Sequence, residues 1–448
     1  MTVTDLTSRR LLAIVAAEQA TARMPSLVAG VVRDGELVWS GGHGGHTGSA
    51  APDPDLQYRI GSITKTMTAV LVMQLRDEGL LDLSDPLGDH LPGVGYGDRT
   101  IRSLLSHASG MQSEPAGPWW ERSPGVGFDE LAAAIDETRA PFAPGVTFHY
   151  TNLAYGLLGE LVARLRKSTW WEQLESRLLR PLGMDRTSYG PQPPAAQGYS
   201  VHHFAGTLVE EPAQDTGAMA PAGQVWSTVA DLATYSRFLL DGHEDVLPVA
   251  TLDEMRTPQS GSLAGGMSGG YGLGLRLVAG GSGTLAGHTG SMPGFLAGLL
   301  VDPVRRAGAV CLANGTAGMR CEGLPADLLD ELERSEPAVV PAWAPNPDVP
   351  DGVAELLGLW HWGNTAHAFS WQGGEVAVTS LASGAVTSRF HPRGDGSIVG
   401  TSGYHHGETL RVVRNPDGSV NHLECATFVY TRAPYDPEAP IPGGPPER

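Results

Sequence analysis

The chain has 448 residues, 41% hydrophobic and 18% charged, with 59 Gly and 34 Pro; this excludes a disordered or fibrous protein and is enough for two or three domains of roughly 150 residues. Thirty Lys and Arg against 49 Asp and Glu leave a net charge of −19, which repels phosphate backbones and anionic lipid and so excludes nucleic-acid and membrane partners. Three cysteines, Cys311, Cys321 and Cys425, without a C-x-x-C pair, provide neither a disulfide framework nor a zinc knuckle.

Residues 8–22 have the spacing of an amphipathic helix. Arg9-Arg10 followed by LLAIVAA imitates a twin-arginine export signal, but Glu18 and Gln19 interrupt the apolar run and no small-residue cleavage pattern follows. The expectation is an ordinary helix and a cytoplasmic, reducing location. No apolar run reaches the ~18 residues of a membrane span. Strands over 26–33 and 36–40 form a hairpin around Asp34-Gly35. Helices follow over 62–78, ended by Gly79, over 101–107, 152–165 and 226–240. Strands return at 271–278, 294–302 and 307–313, the last two joined by an Asp302-Pro303 turn. Five prolines between 335 and 351 mark a linker. Beyond it, short runs at 357–362, 368–371, 375–380, 386–391, 408–414 and 426–432 predict a small antiparallel β module. The expected class is α+β: strands at both ends of a helical middle over 1–334, then a β domain over 352–448.

The chemistry begins at Ser62-Ile63-Thr64-Lys65, at the head of a predicted helix. Residues three apart share a helix face, so hydroxyl and amine can meet where the helix N-terminus adds positive potential. The same tetrapeptide also reads as an N-cap serine with a solvated lysine. Composition favours the first reading: Lys65 and Lys167 are the only lysines beside 28 Arg, and lysine is the cation able to give up its proton. Tyr150-Thr151-Asn152 precedes the third helix. A phenol near an ammonium has a lowered pKa and can act as base, while an Asn amide can hold both lysine and substrate carbonyl; alternatively the tyrosine packs and the asparagine caps the helix. Gly287-His288-Thr289-Gly290-Ser291 lies before a strand pair, where His288 and Thr289 can line a cleft and a backbone N–H can serve an oxyanion hole.

Other motifs are weaker. His46-Thr47-Gly48 repeats the H-T-G triplet in a Gly-rich loop with no strand pair behind it. Gly266-Met267-Ser268-Gly269-Gly270 matches G-x-S-x-G without the strand-to-helix elbow that motif needs, and residues 281–290 lack a dinucleotide-binding register. His107 reads as a buttress of a helix end. The pairs His202-His203 and His405-His406 lack metal-type spacing and read as loops.

In the order S-x-x-K, Y-x-N, H-T-G, supported by LQYRIGSITK, IRSLLSHASGM, PAGQVWSTVADLA, YGLGLRL and GHTGSMPGF over about residues 10–320, the chain resembles the serine penicillin-recognising superfamily: class C β-lactamases, D,D-peptidases and their esterase and acyltransferase relatives. The resemblance implies an antiparallel sheet flanked by helices plus an all-helical region, with acyl transfer through Ser62. It also implies that Lys65 and Tyr150 share the proton-transfer work, with the base left open between them. Asn152 would orient Lys65 and substrate, His288 would support Tyr150, and the backbone N–H groups of Ser62 and Ser291 would form the oxyanion hole beside Thr289 and Gly290. No metal or organic cofactor is implied. His288 stands where penicillin-binding members have Lys, which weakens the case for a penam or terminal carboxylate and favours neutral acyl substrates.

The C-terminal module, from GLWHWGNTAHAFSW to FVYTRAPYDP, resembles the lipocalin-like domain of some cytoplasmic relatives. The whole layout resembles the penicillin-binding-protein-type thioesterases, stand-alone enzymes that cyclise nonribosomal peptides in actinobacteria. The implied partner is a linear peptidyl thioester delivered by a carrier-protein domain of a nonribosomal peptide synthetase and closed head to tail. An esterase or D-amino-acid peptidase would use the same residues; a catalytically dead binding module would lack the nucleophile or lysine, both present here. Trp119, Trp120 and Trp226 are expected either to line an apolar pocket that keeps water from the acyl-enzyme or to be ordinary core aromatics. Arg432 is expected either to meet a substrate carboxylate or to sit solvated at a strand end.

Overall fold

A computed structural model describes residues 2–45, 51–261, 269–316, 318–339, 342–346 and 349–435. His46-Thr47-Gly48 and Gly266-Met267-Ser268 therefore lie outside the described residues. The chain forms two compact units, Met1–Val339 and Val340–Arg448. Among the described residues no helix is long and apolar enough to cross a membrane.

The first unit contains strands β1 (Ser26–Arg33), β2 (Glu36–Gly44), β3 (Tyr58–Arg59), β4 (Tyr199–Val201), β5 (Leu208–Glu210), β6 (Trp226–Ser227), β7 (Gly269–Tyr271), β8 (Arg276–Gly280), β9 (Gly283–Met292), β10 (Phe295–Asp302) and β11 (Ala307–Ala313). Seven of them make one antiparallel sheet in the order β2-β1-β11-β10-β9-β8-β7. β3 pairs with β6, and β4 with β5. The two-residue side-chain period sends alternate residues of each strand to opposite faces. Leu27, Ala29 and Val31 of β1, with Ala309 and Cys311 of β11, join a core with Leu11 and Val15 of the Asp5–Ala22 helix and Leu328 and Leu332 of the Gly323–Ser335 helix. Val28, Val310 and Leu312 face the other way, into a larger core with Val229, Leu232 and Tyr235 of the Val229–Asp241 helix and with the Ile63–Asp77 helix. Gly30 lets the Val229–Asp241 helix approach closely, because a Cβ there would lie 2.5 Å from Val229 Cγ1.

Three expectations change here. The strand expected over 271–278 is a hairpin: β7 and β8 pair Tyr271 with Arg276. The chain turns at Gly274, at φ +80°, where a Cβ would meet Ala69 Cβ at 2.1 Å. The helix expected over 226–240 starts at Val229, because Trp226-Ser227 pairs with β3 and the Thr228 side chain caps the helix by accepting from the Asp231 amide. The Gly323–Ser335 helix was not anticipated, although Leu324, Leu328, Leu329 and Leu332, all buried, have the spacing of one helix face.

The second unit is an eight-stranded antiparallel sheet: β12 (Gly358–Trp362), β13 (Thr365–Gln372), β14 (Glu375–Ser380), β15 (Val386–Pro392), β16 (Ile398–Gly403), β17 (Leu410–Arg414), β18 (Val420–Cys425) and β19 (Phe428–Thr431). Its order, β16-β15-β14-β13-β12-β19-β18-β17, is an up-and-down meander that β12 and β19 close on one side. On the other side a single bridge, Val399 to Thr409, brings β16 to β17, so the barrel is nearly closed. Trp360, Phe369, Val376, Phe390, Leu423 and Tyr430 fill it. Two strands went unpredicted, IVGTSG and VNHLEC, because glycine and polar residues mask their alternation.

Candidate active site

Ser62 is the N-cap of the Ile63–Asp77 helix, in αR conformation, and its hydroxyl makes no capping bond. It is thus free to face Lys65, one turn on, whose Nζ lies 2.9 Å from Ser62 Oγ and donates to the Ala222 carbonyl at 2.6 Å. Lys65 is fully buried. Burial drives its pKa down to about 7 against the opposing pull of the Glu114 and Glu121 carboxylates. A neutral amine is therefore populated at neutral pH, in contact with the Ser62 hydroxyl.

Tyr150 lies with its ring centroid 5.1 Å from Lys65 Nζ. The expected lowering of its pKa is not met: burial pushes the phenol well above its usual range, and Ser62 opposes this only in part. The Glu114 and Glu121 carboxylates add to the effect of burial by disfavouring a second negative charge. Tyr150 thus keeps its proton and acts as a hydrogen-bonding hydroxyl. Its ring packs against that of His107, tilted by 37° at 4.1 Å between centroids. His107 Nδ1 accepts the Thr151 amide at 3.1 Å, which fixes the backbone next to Tyr150.

Asn152 begins the Asn152–Arg166 helix, which the Thr151 side chain caps. Its amide nitrogen donates to Glu114 Oε1 at 2.7 Å; the Lys65 amine, which Asn152 was expected to orient, instead donates to Ser62 Oγ and the Ala222 carbonyl. Glu114 Oε2 accepts from the Trp120 indole at 2.8 Å. Glu114 therefore joins the Y-x-N motif to Trp120 and adds negative charge near Lys65.

β9 pairs with β8 only as far as Gly287, opposite Arg276. Its remaining residues, 288–292, run past the end of β8 and along the approach to Ser62. A Cβ on Gly290 would sit 2.0 Å from the Ile60 carbonyl, and one on Gly61, at φ +52°, 2.5 Å from Ser291 N. Glycine at both places is what allows the backbones of 60–62 and 290–291 to touch. This contact brings Ser62 and Ser291 together, with Ser291 exposed and Thr289 partly exposed at the cleft.

His288 is buried, and its Nδ1–H donates to the Thr289 carbonyl at 2.5 Å, so Nε2 accepts the Tyr271 hydroxyl at 2.9 Å. Burial, reinforced by Lys65, lowers its pKa to about 3, so the ring is neutral. Its ring centroid is 6.0 Å from that of Tyr150. The group bonded to it is Tyr271, not Tyr150; Tyr271 sits in the YGLGLRL stretch, where nothing local marks it out.

The tryptophans divide. Trp120 borders the site and also lines a cavity of about 220 Å³ with Pro115, Pro118, Val126, Leu131 and Met219. Trp119 is exposed, donates to Glu121 at 2.9 Å and lies under Arg122. Trp226 is a correction: only 2% exposed, it packs edge to face on Phe295 at 5.0 Å and belongs to the core. Arg432 is also reassigned. Its guanidinium donates to the carbonyls of Glu355, Leu357 and Leu359 and lies 3.7 Å from the Trp360 ring, so its hydrogen bonds hold its own barrel.

The family model described as Beta-lactamase matches residues 11–332, and one described as a domain of unknown function, DUF7586, matches residues 349–432. Penicillin-binding protein 4 of Amycolatopsis lactamdurans is 30% identical over 314 residues, covering 65% of this chain and 81% of that one. The chain spans about half, 46%, of the length of another relative, Beta-lactamase-like protein 2 of Dictyostelium discoideum. Among solved structures, SurE is 27% identical with a TM-score of 0.60, covering 96% of this chain and 98% of that one, and has also been solved with D-Leu. A D-stereospecific amidohydrolase from Streptomyces sp. is 27% identical with a TM-score of 0.60, covering 74% of this chain and 99% of that one.

Proposed function

This chain belongs to the Beta-lactamase family, as a serine hydrolase of the β-lactamase and penicillin-binding-protein fold, and on that premise we propose that it closes a linear nonribosomal peptidyl thioester, brought by a carrier-protein domain, into a head-to-tail lactam. The observation that carries the acyl-enzyme chemistry is the Lys65 amine, with its pKa near 7 and Nζ 2.9 Å from Ser62 Oγ. Lys65 takes the hydroxyl proton as Oγ attacks the thioester carbonyl. The oxyanion is held by the amides of Ser62 and Ser291. Collapse expels the thiolate, which receives the proton from Lys65 by way of the Tyr150 hydroxyl. The peptide's own amine then attacks the ester, its proton passes back to Lys65, and Ser62 leaves as the hydroxyl. Thioester and amine become amide and thiol, with no water consumed.

Two features support cyclisation. The likeness to SurE extends over both units, and that protein has been solved with D-Leu. The cavity beside Trp120, walled by Pro, Val, Leu and Met, suits an apolar acyl chain and keeps water from it. Hydrolysis of D-amino-acid amides is the second reading, supported by the Streptomyces amidohydrolase. Mass spectrometry of wild type and Ser62→Ala with linear peptidyl thioesters carrying D- or L-residues at the C-terminus separates them. Cyclic product from wild type alone supports the cyclase, linear acid alone the hydrolase, and equal turnover by Ser62→Ala refutes Ser62 as nucleophile.

A further inference from the structure

The barrel holds a polar cluster that the acyl-transfer chemistry does not use. His405, in the turn after β16, is buried; Cys425, the last residue of β18, is fully buried; Glu408, before β17, reaches them from a half-exposed position. Their ligand atoms all lie within 4.8 Å of one another. His405 Nδ1 and Glu408 Oε2 are 2.6 Å apart, and Cys425 Sγ is 3.7 Å from the same oxygen.

From this arrangement we propose that His405, Glu408 and Cys425 bind one zinc-class divalent cation that staples the barrel at its open seam. The donor set is imidazole, carboxylate and thiolate, the mixture that borderline-soft ions of the zinc class prefer over calcium or magnesium. Tetrahedral zinc sets such atoms about 3.3–3.6 Å apart. The sulfur-to-oxygen distance already fits, and the His405 and Glu408 atoms must separate by less than ~1 Å, a movement open to a half-exposed glutamate. Binding displaces the Cys425 thiol proton to solvent and moves the His405 ring proton to Nε2. There Tyr430 Oη, 3.3 Å away, can accept it, the kind of outer partner that fixes the tautomer of a metal-bound histidine. Phe390 and Phe428 enclose the imidazole. The fourth position is left to water on the Glu408 side.

The placement explains what the ion would do. β16 and β17 meet by one bridge, Val399 to Thr409, whereas β17 and β18 form a full ladder with Leu410 opposite Cys425. An ion shared by the β16–β17 turn and the end of β18 ties together a seam that the backbone bridges only once. Local spacing hid the site, because the adjacent pair His405-His406 contributes one ligand and the third comes from beyond β17.

The test uses the full chain, expressed without a metal-binding tag in zinc-supplemented medium. Elemental analysis should find close to one zinc per chain. Titration of the stripped protein with Co²⁺ should produce a thiolate-to-metal charge-transfer band. Cys425→Ser should abolish that band although Cys311 and Cys321 remain, and Glu408→Gln should weaken Co²⁺ binding at least tenfold. Stripping the metal should lower the melting temperature of wild type and leave that of Cys425→Ser unmoved. Wild type that is folded by circular dichroism yet holds less than a tenth of an equivalent of zinc and gives no Co²⁺ band overturns the proposal, as does a Cys425→Ser protein that keeps the band. The wild-type titration decides the matter even where a variant fails to fold.

Discussion

Tyr271 donates its hydroxyl to His288 Nε2 at 2.9 Å, and His288 in turn donates its Nδ1–H to the Thr289 carbonyl. The H-T-G motif is thereby anchored to the β7–β8 hairpin behind the site, with a neutral imidazole between them. Tyr271→Phe removes the donor and leaves a buried acceptor unpaired, a cost of about 1–3 kcal/mol. The expected result is a lower melting temperature with Ser62 still reactive toward a fluorophosphonate; a variant as stable as wild type would show that the bond does not hold the strand.

Ser62→Ala should abolish covalent labelling by a fluorophosphonate or β-lactone, read as the mass of the intact protein. Lys65→Met should slow labelling by at least about 10³-fold, the scale of removing one member of a nucleophile and base pair.

The labelling rate should also report the state of Lys65. Only the neutral amine accepts the Ser62 proton, so the rate should rise through a pKa of about 7 and fall away below it. Glu114 favours the ammonium; Glu114→Gln removes that pull, lowers the amine's pKa and should move the rising limb to more acidic pH. A limb that stays in place would show that Glu114 does not act on Lys65.

Burial of Lys65 has a stability consequence of opposite sign to its use in catalysis. Its folded pKa lies below the 10.5 of a free lysine, so the unfolded chain binds more protons between pH 7 and 10.5 and stability rises with pH across that window. The penalty is largest below pH 7. Lys65→Met should therefore raise the melting temperature while slowing labelling, with a greater gain at pH 6 than at pH 9.

Gly61→Ala tests the contact between the start of the nucleophile helix and β9. A methyl there meets Ser291 N and sits at φ +52°, a strain of about 1–3 kcal/mol. Displacing Ser291 should cost acylation about 10²-fold, the scale of losing one oxyanion donor, and the loss should appear in the acylation rate constant more than in reversible binding.

Local rules carried part of this site and not the rest. Ser62 and Lys65 are three residues apart on one helix, so their meeting follows from helical geometry alone. The Asp34-Gly35 hairpin and the β10–β11 pair were legible for the same reason: each is made by neighbours in sequence. Glu114 with Asn152, Tyr271 with His288, and His405 with Cys425 are contacts between distant segments, and no periodicity encodes them. The direction of the Tyr150 pKa was misjudged because proximity to a lysine was counted and the desolvation of both groups was not. Trp226 was left open between cleft and core because a tryptophan near a motif can face either, and only the β3–β6 pairing decides which.

The seven-stranded sheet places its first hairpin against its last strand: Leu27 pairs with Ala313 across the whole length of the unit. Everything between them, including the helices between 63 and 255, is therefore looped out between two strands far apart in sequence. A ribosome must deliver residue 313 before β1 has its second neighbour, so the fold has a high contact order and its closure is slow beside that of its helices. Ser62 and Lys65 are made early, but the strand bearing Ser291 arrives late. A nascent chain thus carries Ser62 and Lys65 well before Ser291 is made, and the site is assembled only once β9 can be laid against the head of that helix.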